Sequence, residues 1–314
     1  MHHLDRYPAG NAAMGPAASL AGRRLGNDFA NVGGWNMYHG DVVPGFPRHP
    51  HRGFETVTVV RTGLLDHSDS MGATARYGEG DVQWLTAGAG IQHAEMFPLL
   101  RADGGNPLEL FQIWLNLPAA RKMVDPHFAM LWASDVPKLR VRDEAERTTE
   151  LTVVAGTLGA ASAPAAPPAS YASEAGADVT IWTLELEAGA RFTIPAAPRG
   201  TRRTLYVYEG RSAHVAGRRV AGASAVRLEA EAEVDLVASA GPAAAVLLGG
   251  RPIGEPVARR GPFVMNTPQE IRQAFADYQR TQFGGWPWPS PEPVHARPEG
   301  RFALRPDGVI ERPS

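Results

Sequence analysis

Two short segments of the sequence carry pairs of metal-ligating residue types. His49 and His51 stand two positions apart, and so do His93 and Glu95. In an extended strand side chains alternate between the two faces, so each pair is expected to point to one side. Imidazole and carboxylate together suit a first-row transition metal, and four protein ligands in an octahedral arrangement leave two positions open. The spacing therefore predicts a reactive metal site.

A second carboxylate leaves the ligand set open. Counting by twos from His51 places Gly53 and Glu55 on the same face, so either Glu55 or Glu95 can supply the carboxylate ligand. The remaining histidines near these segments are interpreted as ordinary surface or hydrogen-bonded residues. They are His39, His67 and His127.

The composition indicates a globular protein without a nucleic-acid partner. The 314 residues are 44% hydrophobic, and the formal net charge is only −2, so bulk electrostatics give no reason to expect DNA or RNA binding. Cysteine is absent, which leaves histidine and carboxylate as the strong metal ligands. The first residues lack an apolar signal-peptide core, and no apolar run approaches the roughly 18 residues that span a bilayer. We expect a cytoplasmic protein without membrane association.

Many short apolar segments, separated by Gly, Pro and Asp turns, predict an all-β fold of barrels or sandwiches. A charged stretch around 138–147 suggests a boundary between a first domain of residues 1–140 and a second of residues 141–314, and the Ala/Pro/Ser-rich stretch 160–169 is interpreted as a surface loop. The predicted strands cover residues 55–60, 81–85, 108–117, 151–154, 179–186, 204–208, 233–237 and 244–248.

One helix is predicted near the C-terminus. Thr267 and Glu270 make a capping box, and Pro268 occupies the first helical position. An apolar stripe follows at Ile271, Ala274, Phe275 and Tyr278, and Gly284 is the expected stop. The Pro-rich tail after this helix is predicted to lack regular structure.

The second half of the chain contains a degenerate repeat of the first. Setting Gly63 and Gly210 equivalent places Ala196 and Pro198 where the first half has its two histidines. The second domain is therefore expected to hold no metal.

Several segments together resemble the cupin superfamily and, within it, the pirin family. The resemblance spans most of residues 20–285. It is carried by residues 47–58, 80–88, 111–118, 249–256 and 261–267.

The resemblance implies two tandem cupin barrels, each a double-stranded β-helix or jelly roll, followed by the C-terminal helix and an extended tail. Pirins hold one iron in the N-terminal barrel. Carried onto this chain, the metal ligands would be His49, His51, His93 and Glu95. Glu55 would instead orient a ligand histidine through a hydrogen bond. Manganese, nickel and copper suit the same ligands as Fe(II).

The resemblance also implies two functions. Members of the family open flavonols such as quercetin with molecular oxygen, and Glu95 would then take the flavonol hydroxyl proton as general base. The alternative is a non-enzymatic, redox-sensing regulator that binds a transcription factor or a metabolic enzyme.

Residues of one predicted strand can line the substrate pocket. Gln112 and Asn116 share a strand face with Trp114, and the pattern is equally compatible with a position in the pocket and with a position outside it. We interpret Trp114 as barrel core rather than a substrate platform, together with Trp84 and Phe111.

Overall fold

The computed structural model describes residues 1–313 and divides them into two compact units. One unit contains residues 1–134 together with residues 255–313, and the other contains Asp135–Gly254. The predicted boundary after residue 140 would cut the strand Lys138–Arg142. The sequence also assigned the C-terminal helix and tail to the second domain, whereas they pack with the first unit. Contacts between distant segments, which local pattern does not reveal, decide this grouping.

The described residues form 25 strands and one α-helix. Strands β1–β9 are His2–Tyr7, Gly45–His51, Phe54–Thr62, Leu64–Asp69, Thr74–Gly78, Val82–Thr86, Ile91–Met96, Asn106–Asn116 and His127–Leu131. Strands β10–β21 are Lys138–Arg142, Thr148–Ala155, Thr157–Leu158, Ala161–Ser162, Thr180–Leu186, Arg191–Ile194, Arg202–Glu209, Ser212–Val215, Arg218–Ala221, Ser224–Leu228, Val234–Val237 and Ala243–Gly250. Strands β22–β25 are Ala258–Arg260, Phe263–Met265, Phe302–Leu304 and Ile310–Glu311, and helix α1 is Pro268–Thr281.

Each of the eight strands predicted from apolar patterning coincides with an observed strand. The remaining strands, several of them only two to four residues long, were not among the predicted segments. Four 3₁₀ turns complete the described elements: Val32–Gly34, Ala119–Arg121, Tyr171–Ser173 and Gln282–Gly284.

Two antiparallel sheets of the first unit enclose one hydrophobic core. Their strand orders are β1-β8-β3-β6-β9 and β2-β7-β4-β5-β24-β25. Both sheets contribute to the core, the first through Val60 and Leu85 and the second through Leu65 and Ile91. This is the two-sheet architecture of a jelly roll, and it places β2 and β7 side by side as carriers of the predicted ligands.

The second unit repeats the two-sheet arrangement. Its sheets have the orders β10-β11-β14-β21-β16-β19 and β15-β20-β17-β18. Apolar side chains from both sheets fill the interior, including Leu184, Leu205, Leu236 and Leu247. Along β15 and β16 buried residues alternate with more exposed ones, which is the pattern of a sheet with one buried face.

Helix α1 begins where the sequence predicted and ends earlier than predicted. The capping box of Thr267 and Glu270 is present, but the helix ends before Gln282, whose φ of 50° is left-handed. Gly284 therefore lies beyond the helix terminus. The buried residues Ile271 and Ala274 pack with Phe263 in the β22–β23 hairpin, so the apolar stripe covers that hairpin within the first unit.

The tail contains regular structure that its composition did not indicate. Strand β24 pairs with β5, and β25 pairs with β24. The guanidinium of Arg76 on β5 donates to the carbonyls of His295, Ala296 and Glu299. The prediction of an irregular tail is wrong for strands β24 and β25, because a strand that extends an existing sheet needs no apolar periodicity of its own.

No helix among residues 1–313 has the length and apolar character needed to cross a bilayer.

Candidate metal centre

Three histidines converge from two neighbouring strands. His49 and His51 lie on β2, and His93 lies on β7 directly opposite His49. One ring nitrogen from each of the three falls within 4.8 Å of the others. A register shift between Phe46 and His49 interrupts the pairing just before the first of the three histidines, and such bulges commonly re-aim side chains at functional sites.

Backbone carbonyls fix the tautomers of two of these rings. The Nδ1 of His49 lies 2.8 Å from the Pro47 carbonyl, and the Nδ1 of His51 lies 3.4 Å from the Pro262 carbonyl. Because a carbonyl only accepts, each Nδ1 carries the proton and each Nε2 presents a lone pair. These two Nε2 atoms are 3.1 Å apart.

The third histidine has two unsatisfied nitrogens. His93 is fully buried, and neither its Nδ1 nor its Nε2 has a hydrogen-bond partner in the described part of the chain. A buried polar atom without a hydrogen-bond partner costs free energy. The lone pairs on the facing Nε2 atoms of His49 and His51 also repel each other. A divalent cation among the three rings would be bound by one nitrogen of His93 and would remove the repulsion between the other two rings, so the residues present fit a metal.

Burial keeps the three imidazoles neutral. Desolvation lowers the pKa of His49 to about 4. It also holds the pKa values of His51 and His93 well below the ordinary value, with the neighbouring imidazoles adding to the shift. Neutral imidazole is the form that ligates a metal.

Glu95 lies beside this cluster on β7. Its Oε2 is 3.8 Å from the Nε2 of His93, although Glu95 falls outside the 4.8 Å group. The amide Nε2 of Gln112 donates to Oε2 at 2.7 Å, and the hydroxyl of Thr58 donates to Oε1 at 3.3 Å. Burial raises the pKa of the Glu95 carboxyl, against the opposing effects of His67 and these hydrogen bonds.

Glu55 points away from the histidines. The chain turns between β2 and β3, so counting by twos from His51 fails at Gly53. Glu55 accepts hydrogen bonds from the indole of Trp84 and the hydroxyl of Thr86. These two partners alternate along β6 with Leu85, which belongs to the core, so Glu55 occupies the opposite face of the sheet.

The turn that redirects β3 requires glycine. Gly53 has a φ of 84°, and a Cβ there would stand 2.1 Å from the Val264 carbonyl oxygen. The buried ammonium of Lys122 donates to the carbonyls of Gly53 and Val264 at 2.8 and 3.0 Å. Burial lowers the pKa of Lys122 to about 8. Sequence patterning did not single out Lys122, since an isolated lysine reads as a surface residue.

A cavity of about 470 Å³ opens onto the cluster. Its lining includes His49, His51, Glu95, Gln112 and Trp114. Gln112 and Trp114, two of the three strand residues considered for the pocket, therefore line this cavity.

One interpretation of these strand positions is wrong. Trp114 is 43% exposed rather than part of the core, whereas Trp84 and Phe111 are buried. Asn116, the third residue considered for the pocket, does not line this cavity, and its Oδ1 accepts a hydrogen bond from Lys122.

The three histidines that were interpreted as ordinary residues take different positions. His39 lines the cavity and contacts the Gly26 carbonyl through Nδ1. His67 is fully buried next to His93, with its ring nitrogens 3.1 Å from Asp69 Oδ2 and 3.0 Å from Gln83 Nε2. His127 lies on β9 opposite Thr86.

Family models match both halves of the chain. The model described as "Pirin" matches residues 23–115, and the model "Pirin C-terminal cupin domain" matches residues 181–284. A Pseudomonas aeruginosa protein named "Putative quercetin 2,3-dioxygenase" is 39% identical over 250 residues, which cover 76% of this chain and 80% of that protein. The chain belongs to the pirin family.

Other pirin relatives match a similar share of the chain. Human pirin is 32% identical over 263 residues, covering 80% of this chain and 81% of the human protein. A crystal structure titled quercetin 2,3-dioxygenase from Acinetobacter baumannii is 34% identical, with a TM-score of 0.68 over 77% of this chain and 80% of that chain. A second structure of that title and organism is 22% identical and shows the fold alone, with a TM-score of 0.65 over 96% of this chain and 94% of that chain.

Proposed function

We propose that this pirin binds one divalent transition metal, iron(II), through His49, His51, His93 and Glu95. The neutral nitrogens and one carboxylate form a donor set suited to non-haem iron. The same donors suit manganese, nickel and copper. The convergence of three imidazoles with unsatisfied nitrogens supports a metal, and the hydrogen-bonded position of Glu95 beside His93 supports it as the fourth ligand.

We further propose a dioxygenase that acts on flavonols such as quercetin with molecular oxygen. The observation that carries this proposal is the cavity of about 470 Å³ that opens directly onto the ligands. This volume lies within the range of about 300–1,000 Å³ typical of pockets for drug-sized ligands. The aromatic ring of Trp114 on its wall suits a planar aromatic substrate, and the names of the relatives give the same class.

The residues of the chain have separate tasks in this reaction. Glu95 receives the flavonol hydroxyl proton, and its burial, which raises the pKa of the carboxyl, favours proton acceptance near neutral pH. The apolar wall excludes water from the reacting groups. The metal, when bound, supplies the redox chemistry and exchangeable coordination positions that a reaction with dioxygen requires.

Oxygen consumption tests this function. Iron-loaded protein, incubated with a panel of flavonols, should consume oxygen in step with the loss of flavonol absorbance. Glu95→Gln, with its metal content checked, should lose this turnover. An unchanged rate in that variant would contradict the role of Glu95. If the iron-loaded protein consumes no oxygen with any flavonol, the dioxygenase proposal fails and the non-enzymatic regulator is favoured.

A further inference from the structure

Two residues of β8 form a hydrogen-bonded connection between the cavity wall and Glu95. Gln112 and Trp114 stand two positions apart and face the same side of the strand. The indole Nε1 of Trp114 donates to Oε1 of Gln112 at 3.4 Å, and Nε2 of Gln112 donates to Oε2 of Glu95 at 2.7 Å. The amide of Gln112 therefore joins the indole to the carboxylate.

The chemistry of the two partners fixes the orientation of this amide. An indole nitrogen only donates, and an ionised carboxylate only accepts, so the reversed amide would lose both hydrogen bonds. The Nε2 of Gln112 also lies 3.5 Å from the hydroxyl of Thr58, which donates to the other oxygen of Glu95. Gln112 and Thr58 thus each donate to one oxygen of the Glu95 carboxylate, next to the histidine cluster.

Trp114 presents an aromatic surface to the cavity. One part of the ring packs against Phe54 and His51, with centroid separations of 4.3 and 5.5 Å. The side chain is nevertheless 43% exposed, while Trp84 is 1% exposed. A large aromatic surface left open beside a metal site is suited to an aromatic ligand, because stacked or edge-to-face ring pairs contribute beyond their buried area.

We propose that Trp114 contacts the planar aromatic ring of the substrate and that Gln112 is the positioning residue for Glu95. The pair couples substrate binding to the carboxylate, since the indole that meets the substrate also orients the amide that holds Glu95. The aromatic substrate rests on the proposed function, whereas the positioning of Glu95 does not depend on flavonol chemistry.

Two substitutions of Trp114 separate the ring contact from the hydrogen bond. Trp114→Phe keeps an aromatic ring and removes the N–H, and Trp114→Leu removes both. Quercetin binding to the iron-loaded protein is measured by calorimetry without oxygen. The Kd should stay within about 3-fold for Trp114→Phe and rise about 10-fold for Trp114→Leu. In turnover, Trp114→Phe should lower kcat while KM stays near the wild-type value. Equal Kd values for the Phe and Leu variants would overturn the substrate contact.

Metal affinity tests the positioning of Glu95 without any flavonol. Gln112→Met removes the donor at similar length and should weaken nickel or iron binding by about 10- to 100-fold, the usual cost of losing a partner of a ligand. Gln83→Met is the control, since Gln83 is also a buried amide of the same barrel but contacts His67 instead. Its metal affinity should remain near that of the wild type.

The outcomes distinguish this inference from the proposed function. If wild-type protein turns over no flavonol but Gln112→Met still loses metal affinity, the positioning role stands and the dioxygenase fails. If Gln112→Met and Gln83→Met bind metal equally, the positioning role is overturned. Should Gln112→Met prove unfolded by its thermal transition, Trp114→Phe provides the second test, because it alters a half-exposed ring and should still weaken metal binding measurably. Unchanged metal affinity in Trp114→Phe would then overturn the role.

Discussion

The Nε2 atoms of His49 and His51 lie 3.1 Å apart, and the protons of both rings are on Nδ1. Two lone pairs at this separation repel in a buried, weakly screening environment. The β2 backbone and the Pro47 and Pro262 carbonyls hold the rings in place. The fold therefore maintains an arrangement whose cost a bound cation removes.

Metal binding is expected to stabilise the protein. A ligand present at 100 times its Kd that binds only the folded state adds about 2.7 kcal/mol, so chelation should lower the Tm by about 5–10 °C. Calorimetry before and after treatment with a chelator measures this. His93→Ala should abolish the difference, and His127→Ala should preserve it, since His127 does not line the cavity. A chelator effect that survives in His93→Ala would place the stabilising metal elsewhere.

The two carboxylates that the sequence left open should behave differently. Glu95→Gln is expected to weaken metal binding and lower kcat about 100-fold or more, as for loss of a general base. Glu55→Gln should keep its metal, because Gln retains the Oε1 acceptor used by Trp84 and Thr86. Elemental analysis and the oxygen electrode check both variants. Loss of metal from Glu55→Gln with retention in Glu95→Gln would reverse the assignment.

Spacing in the sequence was sufficient to place the ligand candidates but not to choose between the carboxylates. Alternation correctly predicted one face for His49 and His51, which share β2. It failed at Glu55 because β2 ends at His51 and a turn through Gly53 resets the alternation. The cross-strand pairing of His49 with His93 depends on register, which no single segment encodes. The exposure of Trp114 likewise depends on what the folded chain leaves uncovered.

Because of the buried Lys122, the free energy of unfolding should change with pH in the alkaline range. Its pKa is lowered from 10.5 to about 8 in the folded protein, so between these values the unfolded chain binds more protons. Stability contributed by this group therefore rises with pH across that window. Urea unfolding at several pH values, compared with Lys122→Met, isolates the contribution. The control is Lys138→Met on an exposed position of β10. An identical pH dependence in wild type and Lys122→Met would refute the effect.

Arg76 should be among the more costly positions to mutate in the first unit. Its guanidinium forms two hydrogen bonds with Asp66 at 2.7 and 2.8 Å, and both side chains are fully buried. Removing one member of a buried pair leaves an uncompensated charge, so Arg76→Met should cost about 3–5 kcal/mol.

The matched control for this substitution is Arg305→Met, because Arg305 pairs with Asp307 and Glu311 on the surface. Exposed pairs contribute about 0–1 kcal/mol. Denaturant unfolding of both variants makes the comparison, and similar losses of stability in the two would contradict the structural role of Arg76.

The strands with clear apolar patterning and helix α1 were predictable from sequence, whereas the course of the tail was not. Thr267 and Glu270 act locally, so the capping box can be recognised within four consecutive residues. The tail residues 295–304 are held instead by Arg76 and by the edge of β5. These partners lie some 220 residues earlier in the chain, and a Pro-rich composition gives no indication of them.

Metal content measures the central proposal most directly. Protein purified without added metal, then loaded with iron under anaerobic conditions, should contain one metal ion per chain by elemental analysis. The triple variant of His49, His51 and His93 to Ala should contain none while keeping the strand content of the wild type by circular dichroism. Retention of a full equivalent of metal by the folded triple variant would contradict the assignment of the site.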